Sequence, residues 1–274
     1  MKKLNQFGLL LALIVIATAM SIAAATYTPM PGVPQSVNDL GKAIATEQTS
    51  VVTPGGTEWA PNYSDADEAK FDKDGKLAKI VASVTAAKVF TDGVAAILPL
   101  PQKTREKVVA KFMTPVYPTW AMDGKISNAG TTTAGYSVQT KIATALTDAA
   151  KASVAVTDFA QQIKAAQVAN VKPGGTEWAP NCSDEDKTKF DKSDKLKKIV
   201  EKFIGADTFA GNVAAFKAMP EKAQTAAFEK YSIPIYPTWE TLGKISNAGT
   251  TGAGYAIQVA IITEMVKALK TALK

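Results

Sequence analysis

Residues 54–62 read Pro-Gly-Gly-Thr-Glu-Trp-Ala-Pro-Asn, and residues 173–181 repeat them without a change. The same offset of 119 residues carries Phe71 to Phe190, Leu77 to Leu196, Tyr117 to Tyr236, Trp120 to Trp239 and Tyr136 to Tyr255, with no insertion or deletion between these anchors. The flanks keep the register, since Val37, Asp39 and Ile44 recur as Val156, Asp158 and Ile163. A period of roughly 20–50 residues would signal a solenoid. A period of 119 residues has the size of a small domain. The chain is therefore expected to contain two tandem homologous copies, 36–154 and 155–274. They are expected to be pseudo-twofold related, each with its own core or sharing one.

Two blocks are nearly unchanged between the copies, 54–81 with 173–200 and 115–136 with 234–255, and between them only an apolar pattern persists. Intervening helices need little beyond hydrophobicity. The retained blocks need particular residues, for turns, packing or binding. In the first copy, Val37, Leu40 and Ile44 lie three and four apart and predict a helix over 36–50. Pro54-Gly55-Gly56 then breaks the chain. Ser64-Asp65-Ala66-Asp67 resembles an N-terminal cap, and Phe71, Leu77, Ile80, Val81 and Val84 predict a helix interrupted near Asp74-Gly75. Phe90, Val94 and Ile97 predict another, stopped by Pro99 and Pro101. Residues 102–113 predict a further amphipathic helix, ended by Pro115 and Pro118. A Gly/Asn/Thr stretch then leads into a last helix over 134–152. No long alternating β pattern occurs, so the expected class is all-α, with long Pro/Gly-rich loops.

The start of the chain and its composition narrow the function classes. Lys2 and Lys3, an apolar run from Phe7 to Met20 and the small residues Ala23-Ala24-Ala25 read as a signal peptide over 1–25, cleaved before Thr26. The same run approaches the ~18 residues that an uncleaved anchor needs. Residues 26–35 form a Pro-containing N-terminal arm, and no later segment is long and apolar enough to span a bilayer. The mature chain is expected to be exported and soluble, in an extracellular space, a periplasm or an organelle lumen. Cys182 is the only cysteine, which leaves it incidental or paired between molecules. Asn62-Tyr63-Ser64 and Asn181-Cys182-Ser183 are glycosylation sequons wherever a eukaryotic export route applies. With no His, the chain lacks a Ser-His-Asp triad, a Cys-His pair and any imidazole ligand. Arg105 is the only arginine, and without Lys2 and Lys3 the balance is 29 basic to 25 acidic residues. Nucleic acid, which favours arginine forks, is not an expected partner.

The candidate site comes from the retained blocks. All four tryptophans fall there, Trp59, Trp120, Trp178 and Trp239, together with Tyr117, Tyr136, Tyr236 and Tyr255. Aromatics beside prolines, as in Tyr117-Pro118-Thr119-Trp120, form stiff apolar corners suited to an apolar ligand or a partner protein, and equally suited to plugging the core under the loops. Asn128 and Asn247 join the set from the Ser-Asn-Ala-Gly-Thr-Thr stretch and its copy, a helix-entrance turn without the Gly-Lys-Ser/Thr of a phosphate loop. Glu58 and Glu177 beside the tryptophans suit a loop hydrogen bond or salt bridge better than a general acid. Asp65, Asp67, Asp72 and Asp74 suggest calcium, but the second copy loses the glycine of the turn, and helix capping explains these acids adequately.

Asn212-Val213-Ala214-Ala215, Pro220, Ile233-Pro234, Asn247-Ala248, Ala253-Gly254-Tyr255 and Val266-Lys267 follow one another through the second copy. This order is similar to the Asn-Ala-Ala helix, the Val-Pro loop, the Asn-Ala-to-Tyr spacing and the closing Val-Lys helix of the peridinin–chlorophyll proteins of dinoflagellates. Those are lumenal helical proteins of two tandem copies. The resemblance covers the second half of each copy and implies a cavity for an apolar pigment or lipid. It carries over no pigment-ligating residue, because that family supports its magnesium through a histidine and a water, and this chain has no His.

The expected function is that of an exported, non-catalytic binding protein whose two helical lobes present an aromatic-lined site. The competing expectation is a structural or surface-assembly subunit, a filament, coat or matrix component whose repeat loops mediate self-association.

Overall fold

A computed structural model describes residues 27–51, 71–116, 134–171, 188, 190–235 and 252–274; side chains in the helices that open at Ala134 and Gly252 are described from Ser137 and Ala256 onward. Among these residues the fold is all-helical, with nine helices and no strand. They are α1 (Gln35–Val51), α2 (Lys76–Ala86), α3 (Lys88–Ile97), α4 (Gln102–Phe112), α5 (Ala134–Asn170), α6 (Lys195–Ile204), α7 (Phe209–Lys217), α8 (Glu221–Tyr231) and α9 (Gly252–Ala272). The contacts divide the chain into two units, Met1–Lys151 and Ala152–Lys274. No single helix among the described residues is long and apolar enough to cross a membrane; α2 and α3 reach that length and composition only as a pair bent by 71°.

In the first unit α1 buries Val37, Leu40 and Ile44 on one stripe, as their spacing predicts, and packs chiefly on α3 and also on α4 and α2. Prolines set the limits of the short helices. Pro101 precedes α4, its carbonyl accepting from Thr104 N–H at 2.9 Å and Arg105 N–H at 3.0 Å. In the second unit Pro220 does the same for α8, accepting from Ala223 N–H at 2.8 Å and Gln224 N–H at 3.1 Å. The carbonyls left over at the end of the preceding helix are capped by side chains. Arg105 donates to the carbonyls of Leu98 and Leu100. Gln224 donates to those of Lys217 and Met219. All of these positions are 119 residues apart.

The turn before α2 follows the same rule. Gly75 lies in the left-handed region at φ 62°, and Asp194, before α6, at φ 53°. Aspartate tolerates that region better than most side chains. In both turns an aspartate closes the loop: Asp72 Oδ1 accepts from Leu77 N–H at 2.9 Å, and Asp191 Oδ1 from Leu196 N–H at 2.8 Å. Lys76 lies 4.9 Å from the Phe71 ring centroid and Lys195 lies 4.3 Å from that of Phe190.

The core of the second unit is aromatic. Phe159 is fully buried, and its ring meets Phe203, Phe209 and Phe216 edge-on at centroid distances of 5.6, 5.8 and 6.1 Å. Each such pair adds ~0.5–1.5 kcal/mol beyond area burial. The residues 119 positions earlier are Leu40, Val84, Phe90 and Ile97, all buried. α9 packs on α6 and α8 and brings Ile257, Ile261, Met265 and Leu269 into the cluster.

One sequence expectation is corrected. The helix expected over 134–152 does not stop there: α5 continues to Asn170 and takes in what reads as the opening helix of the second copy. Neither Gly nor Pro occurs between Tyr136 and Lys172, so nothing interrupts helix propagation across the junction. The segment read as an N-terminal arm is docked from Tyr27 onward. Asn38 holds Met30 from both sides, its Oδ1 accepting from Met30 N–H at 2.7 Å and its Nδ2 donating to Met30 C=O at 3.2 Å. The Tyr27 ring lies against Gly41 so closely that a Cβ there would overlap the phenol. Lys111 lies 5.6 Å from the ring centroid. Burial pushes the Tyr27 hydroxyl up from 10.0 to about 12.

Two predictions follow from these contacts. Phe159→Ala should cost ~3–5 kcal/mol through lost burial and the cavity left behind, read by chemical denaturation. A tyrosine protonated longer in the folded than in the unfolded state stabilises fully below the unfolded value. That contribution fades between pH 10 and about 12. Gly41→Ala should displace the Tyr27 ring, and tyrosinate absorbance should then show one phenol returning to ordinary titration.

Candidate binding site

Eight of the ten candidate residues, Trp59, Tyr117, Trp120, Asn128, Trp178, Tyr236, Trp239 and Asn247, lie outside the described residues, as do Glu58, Glu177, Asn62, Asn181 and Cys182. Tyr136 and Tyr255 fall in the opening turns of α5 and α9, with their side chains outside the described set. The structure describes the frame from which these loops depart.

That frame is built on buried glutamines. Gln48, on the last turns of α1, is 1% exposed, and its Oε1 accepts the Val116 N–H at 2.8 Å. Val116 is the last described residue before Tyr117-Pro118-Thr119-Trp120. In the second unit Gln167, also 1% exposed, accepts the Ile235 N–H at 3.0 Å, immediately before Tyr236-Pro237-Thr238-Trp239. A proline-broken segment has no helical partner for its amides, so a buried N–H there needs a side-chain acceptor. The glutamine supplies one and ties the loop's first residue to a helix 68 residues earlier in the chain.

A second pair stands beyond the undescribed stretches that follow Val116 and Ile235. Gln139 and Gln258 are fully buried, three residues after Tyr136 and Tyr255. The described frame thus places a buried amide on each side of both loops. None of these four glutamines stands out in a search for catalytic residue types. Their signal is the register, because glutamine recurs at both positions 119 residues on.

Among the calcium candidates, Asp72 serves as a turn cap to Leu77, while Asp65 and Asp67 lie outside the described residues. Besides Tyr27, two titratable groups are shifted among the described residues. Burial raises the Glu47 carboxyl, partly offset by a hydrogen bond from Ser50. Burial also raises the Tyr231 phenol, whose hydroxyl donates to the Val156 carbonyl at 3.0 Å. Neither forms part of the glutamine clamps. What the frame supplies to the loops is position, through neutral amides.

Gln48→Leu and Gln167→Leu should each leave a buried N–H unpaired and lower stability by ~1–3 kcal/mol. Urea unfolding measures that loss, and a shift in tryptophan emission should report release of the adjoining loop. Comparison of the chain with family models, with curated proteins and with solved structures found no match.

Proposed function

We propose that the chain is an exported, soluble, non-catalytic binding protein of two tandem homologous copies, each presenting an aromatic loop site for an apolar ligand. The observation that carries this reading is the pair of equivalent clamps, Gln48 to Val116 and Gln167 to Ile235, each fixing the start of a Tyr-Pro-Thr-Trp loop. A buried N–H needs an acceptor whatever the loop does, and here the acceptor also fixes where the aromatic stretch starts. A loop that presents aromatic side chains to a ligand gains affinity from preorganisation. The duplication itself is supported by the recurrence, at one offset, of the clamps, the aspartate caps, the left-handed turn and the capped carbonyls.

The leader expected over 1–25 and the resemblance to peridinin–chlorophyll proteins favour a pigment or lipid as the ligand. The absence of histidine makes a carotenoid-like polyene a better chemical fit than a tetrapyrrole held through its metal. The test is tryptophan emission during titration with a carotenoid, with solvent extraction of protein purified from its source. Saturable quenching is expected, with Trp120→Ala and Trp239→Ala each removing about half of the capacity. Unchanged emission together with an empty extract would refute the reading. Sedimentation that rises steadily with concentration would favour self-assembly through the loops instead.

A further inference from the structure

In the second unit a groove of about 430 Å³ runs between the C-terminal turns of α5 and helix α6, lined among the described residues by side chains of α5, α6, α9 and the turn after α6. Phe203 and Met265 form its buried floor. Ala165, Ala166 and Ala169 on α5 keep one wall low, and Ile199 completes the other. The volume lies within the ~300–1,000 Å³ of small-ligand sites. It has room for on the order of ten methylene-sized groups at the ~30 Å³ that a water claims.

The polar lining is specific in sign. Among the described residues Lys202 is the only charged one that lines the groove, and it forms no ion pair there. Gln162 and Asn170 add two amides, and no carboxylate is among the described lining residues. The positions 119 residues earlier carry Thr46, Glu47 and Ser50 in place of the three alanines, and Ser83 in place of Lys202. The first unit thus has a half-buried carboxyl where the second has Ala166, and a serine in place of the lysine.

We infer that the second unit holds a separate site for a free anionic amphiphile of the fatty-acid class, with the acyl chain in this groove and the carboxylate on Lys202. The alanines admit the chain, the floor desolvates it, and the ammonium with the two amides pairs the head group. The first unit excludes the same ligand by filling the channel and by charge repulsion from Glu47. This site goes beyond the proposed loop site, and none of its described lining residues is one proposed there.

The test is calorimetric titration of the full protein with dodecanoate below its micelle-forming concentration. Saturable binding of about one dodecanoate per chain is expected, with dodecyltrimethylammonium weaker by at least about tenfold. Lys202→Glu, a surface change that leaves the core intact, and Ala166→Glu, which installs the residue type of the first unit, should each weaken dodecanoate at least about tenfold. Trp120→Ala and Trp239→Ala should leave it within about twofold. The inference is overturned by an absence of saturable binding, by equal affinity for the two detergents, or by unchanged affinity in Lys202→Glu. It is also overturned by loss of binding in the tryptophan variants, or by binding only to vesicles of anionic phospholipid.

Discussion

A backbone N–H taken out of water must find an acceptor, and in each unit one glutamine meets this requirement at the place where the helical order stops. Val116 and Ile235 come just before prolines, where neither helix nor sheet supplies a partner. Gln48 and Gln167 supply it from a neighbouring helix at 2.8 and 3.0 Å. The other regularities of the frame have the same character. Asp72 and Asp191 satisfy the amides at the start of a helix, and Arg105 and Gln224 satisfy carbonyls at the end of one. The apolar interior tolerates replacement, with Phe159 and Phe216 standing where the other unit has Leu40 and Ile97. Polar satisfaction is the stricter constraint, because an unpaired buried group costs more than a repacked side chain.

Most helices were legible in the chain because their limits are local. Pro99, Pro101 and Pro115 forbid continuation, and the three-and-four spacing of Val37, Leu40 and Ile44 marks the buried stripe. The continuity of α5 was not legible. The internal register suggested a boundary near 154, but helix propagation responds to glycine, proline and caps, and this junction has none. The docking of Tyr27 depends on a ring meeting Gly41 and an amide meeting Asn38, contacts between segments that local patterning cannot announce.

The candidate site divides in the same way. Its aromatic residues stand out by composition and position, since every tryptophan falls in a retained block. The glutamines that flank the loops do not, because a glutamine within an apolar stripe reads as an interruption of the pattern. Only comparison of Gln48 with Gln167, and of Gln139 with Gln258, separates them from ordinary surface residues. The alanine-lined groove is harder still to see. It depends on what is missing relative to Thr46, Glu47 and Ser50, and on the placement of Phe203 and Met265 beneath.

The docked segment before α1 bears on how long the chain survives. Chain termini are where digestion usually begins. An exopeptidase working inward meets Tyr27 seated on a helix, then Pro29, then Met30 held at both its amide and its carbonyl, then Pro31 and Pro34. Each step would require the segment to lift from α1 before the peptide could enter a cleft that demands extended backbone. The tether that positions this segment is thereby also a ratchet against trimming, built from a ring on Gly41 and one asparagine amide.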